Sequence, residues 1–235
     1  MTVLPLIALL LVLIAATWMW RRQRVLRREA HIREFALPKG LFDRLRGHHP
    51  QLTAKDCQLV AHGLRQFFLA CLKSGRQPVA MPSQAADDLW HEFIVYTRHY
   101  QDFCRHAFGR FLHHTPAIVL GPQRAGNAGL RRCWWHVCRE EHIDPRKPTR
   151  LPLLFALDTK LGIAGGFRYV PDCGGPRRTD TVAGGGGSTH CATDFHSDRF
   201  DGGTDGFGDA SHGGSDGDGG SSDGGGGGCS SGGGD

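Results

Sequence analysis

The stretch Thr53 to Leu72, TAKDCQLVAHGLRQFFLACL, decides the fold. Its apolar residues Leu59, Val60, Leu64, Phe67, Phe68, Cys71 and Leu72 recur at three- and four-residue steps, the spacing of a helix with one buried stripe. Thr53 is placed to cap it, with Asp56 in the first turn, and Gly75 to stop it. Pro78 to Pro82 reads as a short extended link. Ser83 then caps a second helix predicted to run to about Ala107 and to end at Gly109, with Leu89, Phe93, Tyr96, Tyr100 and Phe103 as its core stripe. A third helix is predicted over residues 128–142, carrying Leu130, Cys133, Trp134, Val137 and Cys138, and it stops before Asp144-Pro145. Residues 151–161 add a short fourth helix, and Gly165 to Val170 read as a turn and an extended segment. Such helices cannot bury their stripes alone, so the expected fold is mainly α, a small bundle of three to four helices.

Upstream, Val3 to Trp20, VLPLIALLLVLIAATWMW, is eighteen residues without a charge. At about 1.5 Å per residue it nearly spans a hydrocarbon core of about 30 Å. Trp18 and Trp20 suit a membrane interface, and Arg21, Arg22, Arg24, Arg27 and Arg28 follow at once. The expectation is an uncleaved transmembrane helix with the body and tail in the cytoplasm. The lipid bilayer is then a partner, with anionic lipid at Arg21–Arg28.

Downstream, twenty-three of the 34 glycines fall in residues 174–235, together with ten Asp and three Arg. The net charge of +5 thus divides into a strongly basic body and an acidic tail. Large apolar residues there are limited to Phe195, Phe200 and Phe207, too few to offset the entropy of ordering the backbone. The predicted organisation is an anchor and basic juxtamembrane segment over 1–34, a helical domain over 35–172, and a disordered Gly/Asp/Ser-rich tail over 173–235. This composition excludes a one-piece soluble enzyme, and the lack of Gly at every third residue excludes a collagen. The eight cysteines lie on the reducing side of the expected topology and read as thiols.

The segment from Asp87 to Pro116 is the densest in chemistry-bearing residues. Here the chain resembles the family of glycine-rich domain-containing proteins in Trp90, His91, Tyr100, Cys104, Gly109 and His114. The resemblance covers roughly residues 50–170 and the composition of the tail. It implies a helical fold, assigns no reaction, and marks Trp90, Tyr100 and Gly109 as structural positions.

Along the same pattern His91, Cys104 and His114, with His113 as a substitute for the last, offer two nitrogens and a thiolate. That is a zinc ligand set with one position open. On a straight helix His91 and Cys104 project about 140° apart, and the bland alternative is a buried thiol and a loop-fixing histidine. A separate row of Asp88, His91, Val95, His99, Asp102 and His106 shares one helix face; it reads either as ligands or as a solvated face of Asp–His pairs. A nucleophile pair of Cys104 or Cys138 with His114 or His142 lacks a surrounding signature. The glycine runs at 162–166 and 184–187 lack the Lys-Ser/Thr of a phosphate loop. The Arg-rich segment is explained by the membrane, so no nucleic-acid partner is expected. The reading is a membrane-bound interaction or assembly module with an unidentified protein partner and no defined catalytic activity. Its rival is a membrane-tethered metal-binding protein or metalloenzyme using His91, Cys104 and His114.

Overall fold

The structure is a computed structural model that describes residues 3–114, 125–171 and 189–191. The described residues are mainly helical. The order is α1 Val3–Glu34, α2 Leu41–His48, α3 Ala54–Lys73, α4 Gln84–Val95, α5 Thr97–Ala107, α6 Ala125–Glu140 and α7 Leu153–Lys160, followed by β1 Arg168–Val170 and β2 Thr189–Cys191.

Local signals set both ends of α3 and the start of α4. The Thr53 hydroxyl accepts from the Asp56 amide while the Asp56 carboxylate accepts from the Thr53 amide, a reciprocal capping box on α3. Ser83 caps α4 by accepting from the Ala86 amide, and Gly75 follows α3 at φ 65°.

α3 is buried on more than one stripe, because α1, α2, α4, α6 and α7 all pack on it. Buried positions run through Cys57, Val60, Ala61, Gly63, Leu64, Phe67, Phe68 and Cys71. A Cβ at Gly63 would stand 2.5 Å from Leu157 Cδ1, so glycine is what lets α7 approach. Gln66, also buried, donates to Glu141 and accepts from the Leu154 amide, tying α3 to the end of α6 and the start of α7. The cysteines at 57, 71, 104, 133 and 138 are buried free thiols, as a small hydrophobe in a helix stripe would be.

The single second helix expected over residues 83–107 is two helices. Tyr96 leaves helical geometry at φ −77°, ψ 59° and separates α4 from α5. On a straight helix the ten residues from Trp90 to Tyr100 rise about 15 Å. Here Trp90 Nε1 donates to the Tyr100 hydroxyl at 3.1 Å. The bend brings both aromatic faces into one core, where Phe93 meets Tyr100 and Phe103 edge-on.

Two further differences concern the ends of the domain. α1 does not stop at the apolar run: it continues to Glu34, and Ile32 is fully buried in the core. Its apolar part is long and apolar enough to cross a membrane, and none of that window is buried. At the other end, β2 lies inside the segment expected to be disordered, and it pairs in parallel with β1, Arg168 opposite Thr189 and Val170 opposite Cys191. The rest of that tail lies outside the described residues.

One buried carboxylate joins α7, α4 and the chain after Gly166. Asp158 Oδ1 accepts from the Ser83 hydroxyl and the Ala85 amide, and Oδ2 from the Gln84 and Phe167 amides. Asp158→Ala strands these donors. It is expected to cost about 3 kcal/mol or more, read as a melting temperature about 10 °C lower; an unchanged transition would contradict the role.

His136 supplies a pH dependence. Burial, with Lys73 and Arg139 beside it, holds its pKa down at about 4, so it is neutral in the fold and binds a proton more readily once unfolded. Its contribution is fully present above about pH 6.5 and is lost as pH falls toward 4, about 2 kcal/mol by pH 5. His136→Gln should flatten that part of the stability profile between pH 7 and 5, and an equally steep profile in the variant would refute the assignment.

Candidate functional site

Asp87 and His91 are four residues apart on α4, so their side chains project on one side. The cap at Ser83 and the carboxylate of Asp158 fix the start of that helix. His114 reaches the same place from the loop after α5. Gly109 begins that loop at φ 69°, a left-handed turn that a Cβ would strain. A Cβ there would also meet the Arg28 guanidinium of α1 at 2.3 Å.

Two hydrogen bonds in series hold the loop. The Trp90 indole donates to the Tyr100 hydroxyl, which donates to the Leu112 carbonyl at 2.5 Å. Burial pushes the Tyr100 hydroxyl's pKa up, so it remains a donor. Trp90 also meets the His114 ring edge-on, centroids 4.6 Å apart.

At the site His114 Nε2 lies 2.9 Å from Asp87 Oδ1 and His91 Nδ1 lies 3.6 Å from Asp87 Oδ2. The two imidazole centroids are 4.1 Å apart. Asp87, His91 and His114 each present a donor atom within 4.8 Å of the others, and they are the one such group among the described residues. His91 is half exposed, whereas His114 is largely covered. Two imidazoles and a carboxylate are a zinc donor set, and tetrahedral zinc needs its donors to close to about 3.3 Å. Asp87 and His114 also border a cavity of about 370 Å³.

Of the residues singled out in the sequence, His91 and His114 come together and Cys104 lies outside their group. Cys104 is 1% exposed; burial raises its thiol pKa, against the opposing pull of the Leu112 backbone, the Tyr100 hydroxyl and the Arg110 charge. His113 lines the same cavity, with its ring against Phe111. Trp90 and Tyr100 are buried and form the support just described.

The Asp–His row is divided by the bend. Asp88 turns to the residue after α2, its Oδ2 lying 2.7 Å from His49 Nε2, and its Oδ1 accepts from Gln84 at 2.9 Å. His106 stays on α5, bonded to the Asp102 carbonyl. Burial, with Glu141 and Asp144 nearby, pushes the Cys138 thiol up, away from the thiolate a nucleophile needs. Asp87 is the site residue that sequence reasoning passed over, although its spacing to His91 was a usable signal.

A family model described as UCP032817-like matches residues 27–195, most of the chain, and includes every residue of this site and both strands. No curated protein and no solved structure matches the chain.

Tyr100→Phe removes the link between indole and loop while keeping the ring. It leaves the Trp90 N–H and the Leu112 carbonyl without their partner and should cost about 1 to 3 kcal/mol. Thermal unfolding indistinguishable from the wild type would show that the loop is held by other contacts.

Proposed function

The chain belongs to the UCP032817-like family, whose description names no reaction, and from its own side chains we propose a single-pass membrane protein whose helical domain binds zinc through Asp87, His91 and His114. The carrying observation is the donor geometry: three ligand atoms from α4 and the loop after α5 lie within 4.8 Å of one another. Asp87 stands in this reading where Cys104 stood in the sequence pattern. An ion held by three protein ligands keeps a fourth position for water or another ligand. Trp90, packed on the His114 ring, orients that ligand from behind.

The membrane part of the proposal is supported by α1. Its exposed apolar residues include Leu9, Leu10, Leu11, Trp18 and Trp20, and Arg22 and Arg24 stack over Trp18 and Trp20. A span of that kind, with Arg21–Arg28 next to it, favours a cytoplasmic domain and contact with anionic lipid. The same helix supports the reading of an interaction or assembly module with a protein partner; the metal reading is preferred because it alone uses the donor geometry. The likeness to glycine-rich domain-containing proteins belongs to this proposal too. It is supported by the way Trp90, Tyr100, Gly109, His91 and His114 gather around one turn.

Full-length protein in detergent, stripped with chelator and dialysed against buffered zinc, should retain about one zinc per chain by elemental analysis. Asp87→Ala, His91→Ala and His114→Ala should each weaken binding at least about tenfold, on the scale of losing a metal contact, while Cys104→Ala retains the ion. No bound zinc in the wild type, or loss only in Cys104→Ala, would overturn the proposal.

A further inference from the structure

The cavity beside the donor cluster has apolar walls, formed among others by Phe67, Val79, Met81, Trp90 and Leu112. Two cations, Arg76 and Arg110, line it as well, and Asp87 is its one carboxylate. Asp87 already lies against His91 and His114. Arg110 donates to the neutral Gly75 carbonyl at 2.8 Å. Among the described residues neither arginine has a carboxylate partner. Two guanidinium groups thus face one carboxylate, an excess of one positive charge at a space whose other polar lining is Gln77, Gln84, His113 and His114.

Cations bordering a low-dielectric space favour an anion, and a guanidinium matches a carboxylate through paired, charge-assisted hydrogen bonds. The volume of about 370 Å³ is that of a small-molecule site, in which apolar walls take the body of a ligand and a few polar groups orient it. We propose that this cavity binds an apolar monocarboxylate, its head group at Arg110 and Arg76 and its hydrocarbon body against Trp90, Phe67 and Val79. One negative charge balances the excess. The inference goes beyond the metal reading and does not rest on it, since the arginines and the walls are present without an ion.

Octanoate is the probe. It is titrated by calorimetry into the full-length protein in nanodiscs of zwitterionic lipid, with chelator present and the heat of empty nanodiscs subtracted. Saturable binding of about one octanoate per chain is expected, with octanol at least about tenfold weaker. Arg110→Gln and Arg76→Gln alter exposed positions and should each weaken octanoate at least about fivefold, the size of an exposed charge-assisted contact. Val79→Trp fills the cavity and should abolish binding while the helical circular-dichroism signal is retained. Unsaturable heat, equal binding of octanol and octanoate, or full binding by the Val79→Trp or the Arg110→Gln protein would each overturn the proposal. Zinc retention is measured on separate samples freed of chelator and dialysed against buffered zinc: its absence in the wild type counts against the metal reading, whereas octanoate binding under chelator decides this one.

Discussion

The carboxylate of Asp158, 3% exposed, is the constraint on which the rest of the structure depends. It sits at the amino end of α4, where backbone amides have no partner within the helix and a negative charge is favoured. By accepting from Ser83, Gln84 and Ala85 together with Phe167, it joins the start of α4 to α7 and to the chain leading into β1. Everything α4 carries, including Asp87, Trp90 and His91, takes its position from that junction. Gly166 belongs to it as well, because a Cβ there would lie 2.7 Å from Asp158 Cβ.

From that fixed start the site is built by bending. The break at Tyr96 turns α5 back so that Trp90, Tyr100 and the Leu112 carbonyl form one hydrogen-bonded series, and the loop beyond Gly109 is carried to the side of α4 where Asp87 and His91 stand. The aromatic rings around the bend hold it closed: Phe68 packs on Trp90, Phe103 and Phe108. These contacts hold the donor atoms near one another, which would lower the ordering cost of binding a metal.

α1 joins this assembly to the apolar segment. His31 stacks on Phe103 of α5, and Phe35, just beyond the helix end, packs on Phe93 and Phe103. The apolar run and the segment packed on the domain are therefore parts of one continuous helix, Val3–Glu34. The basic turn between them passes beside Gly109, so the arginines of α1 and the site's loop share a surface.

Much of this was legible in the residues. The caps at Thr53 and Ser83, the stops at Gly75 and Gly109 and the apolar periodicities of α3 and α6 are local, governed by neighbours within one or two turns, and the chain alone determined them. So too was the apolar amino-terminal run. α2 was not legible, because its eight residues carry too short a pattern and its place depends on His48 and His49 pairing with Glu92 and Asp88 of α4. β2 escaped for a related reason: three residues in a glycine-rich segment find a strand partner only where β1 is presented to them. The replacement of Cys104 by Asp87 beside His91 and His114 was decided by tertiary structure. The bend at Tyr96 has no proline or glycine to announce it. It exists because the aromatic faces of α4 and α5 are buried in one core and the Trp90 indole is satisfied by Tyr100, contacts between residues too far apart on a straight helix for periodicity to reveal.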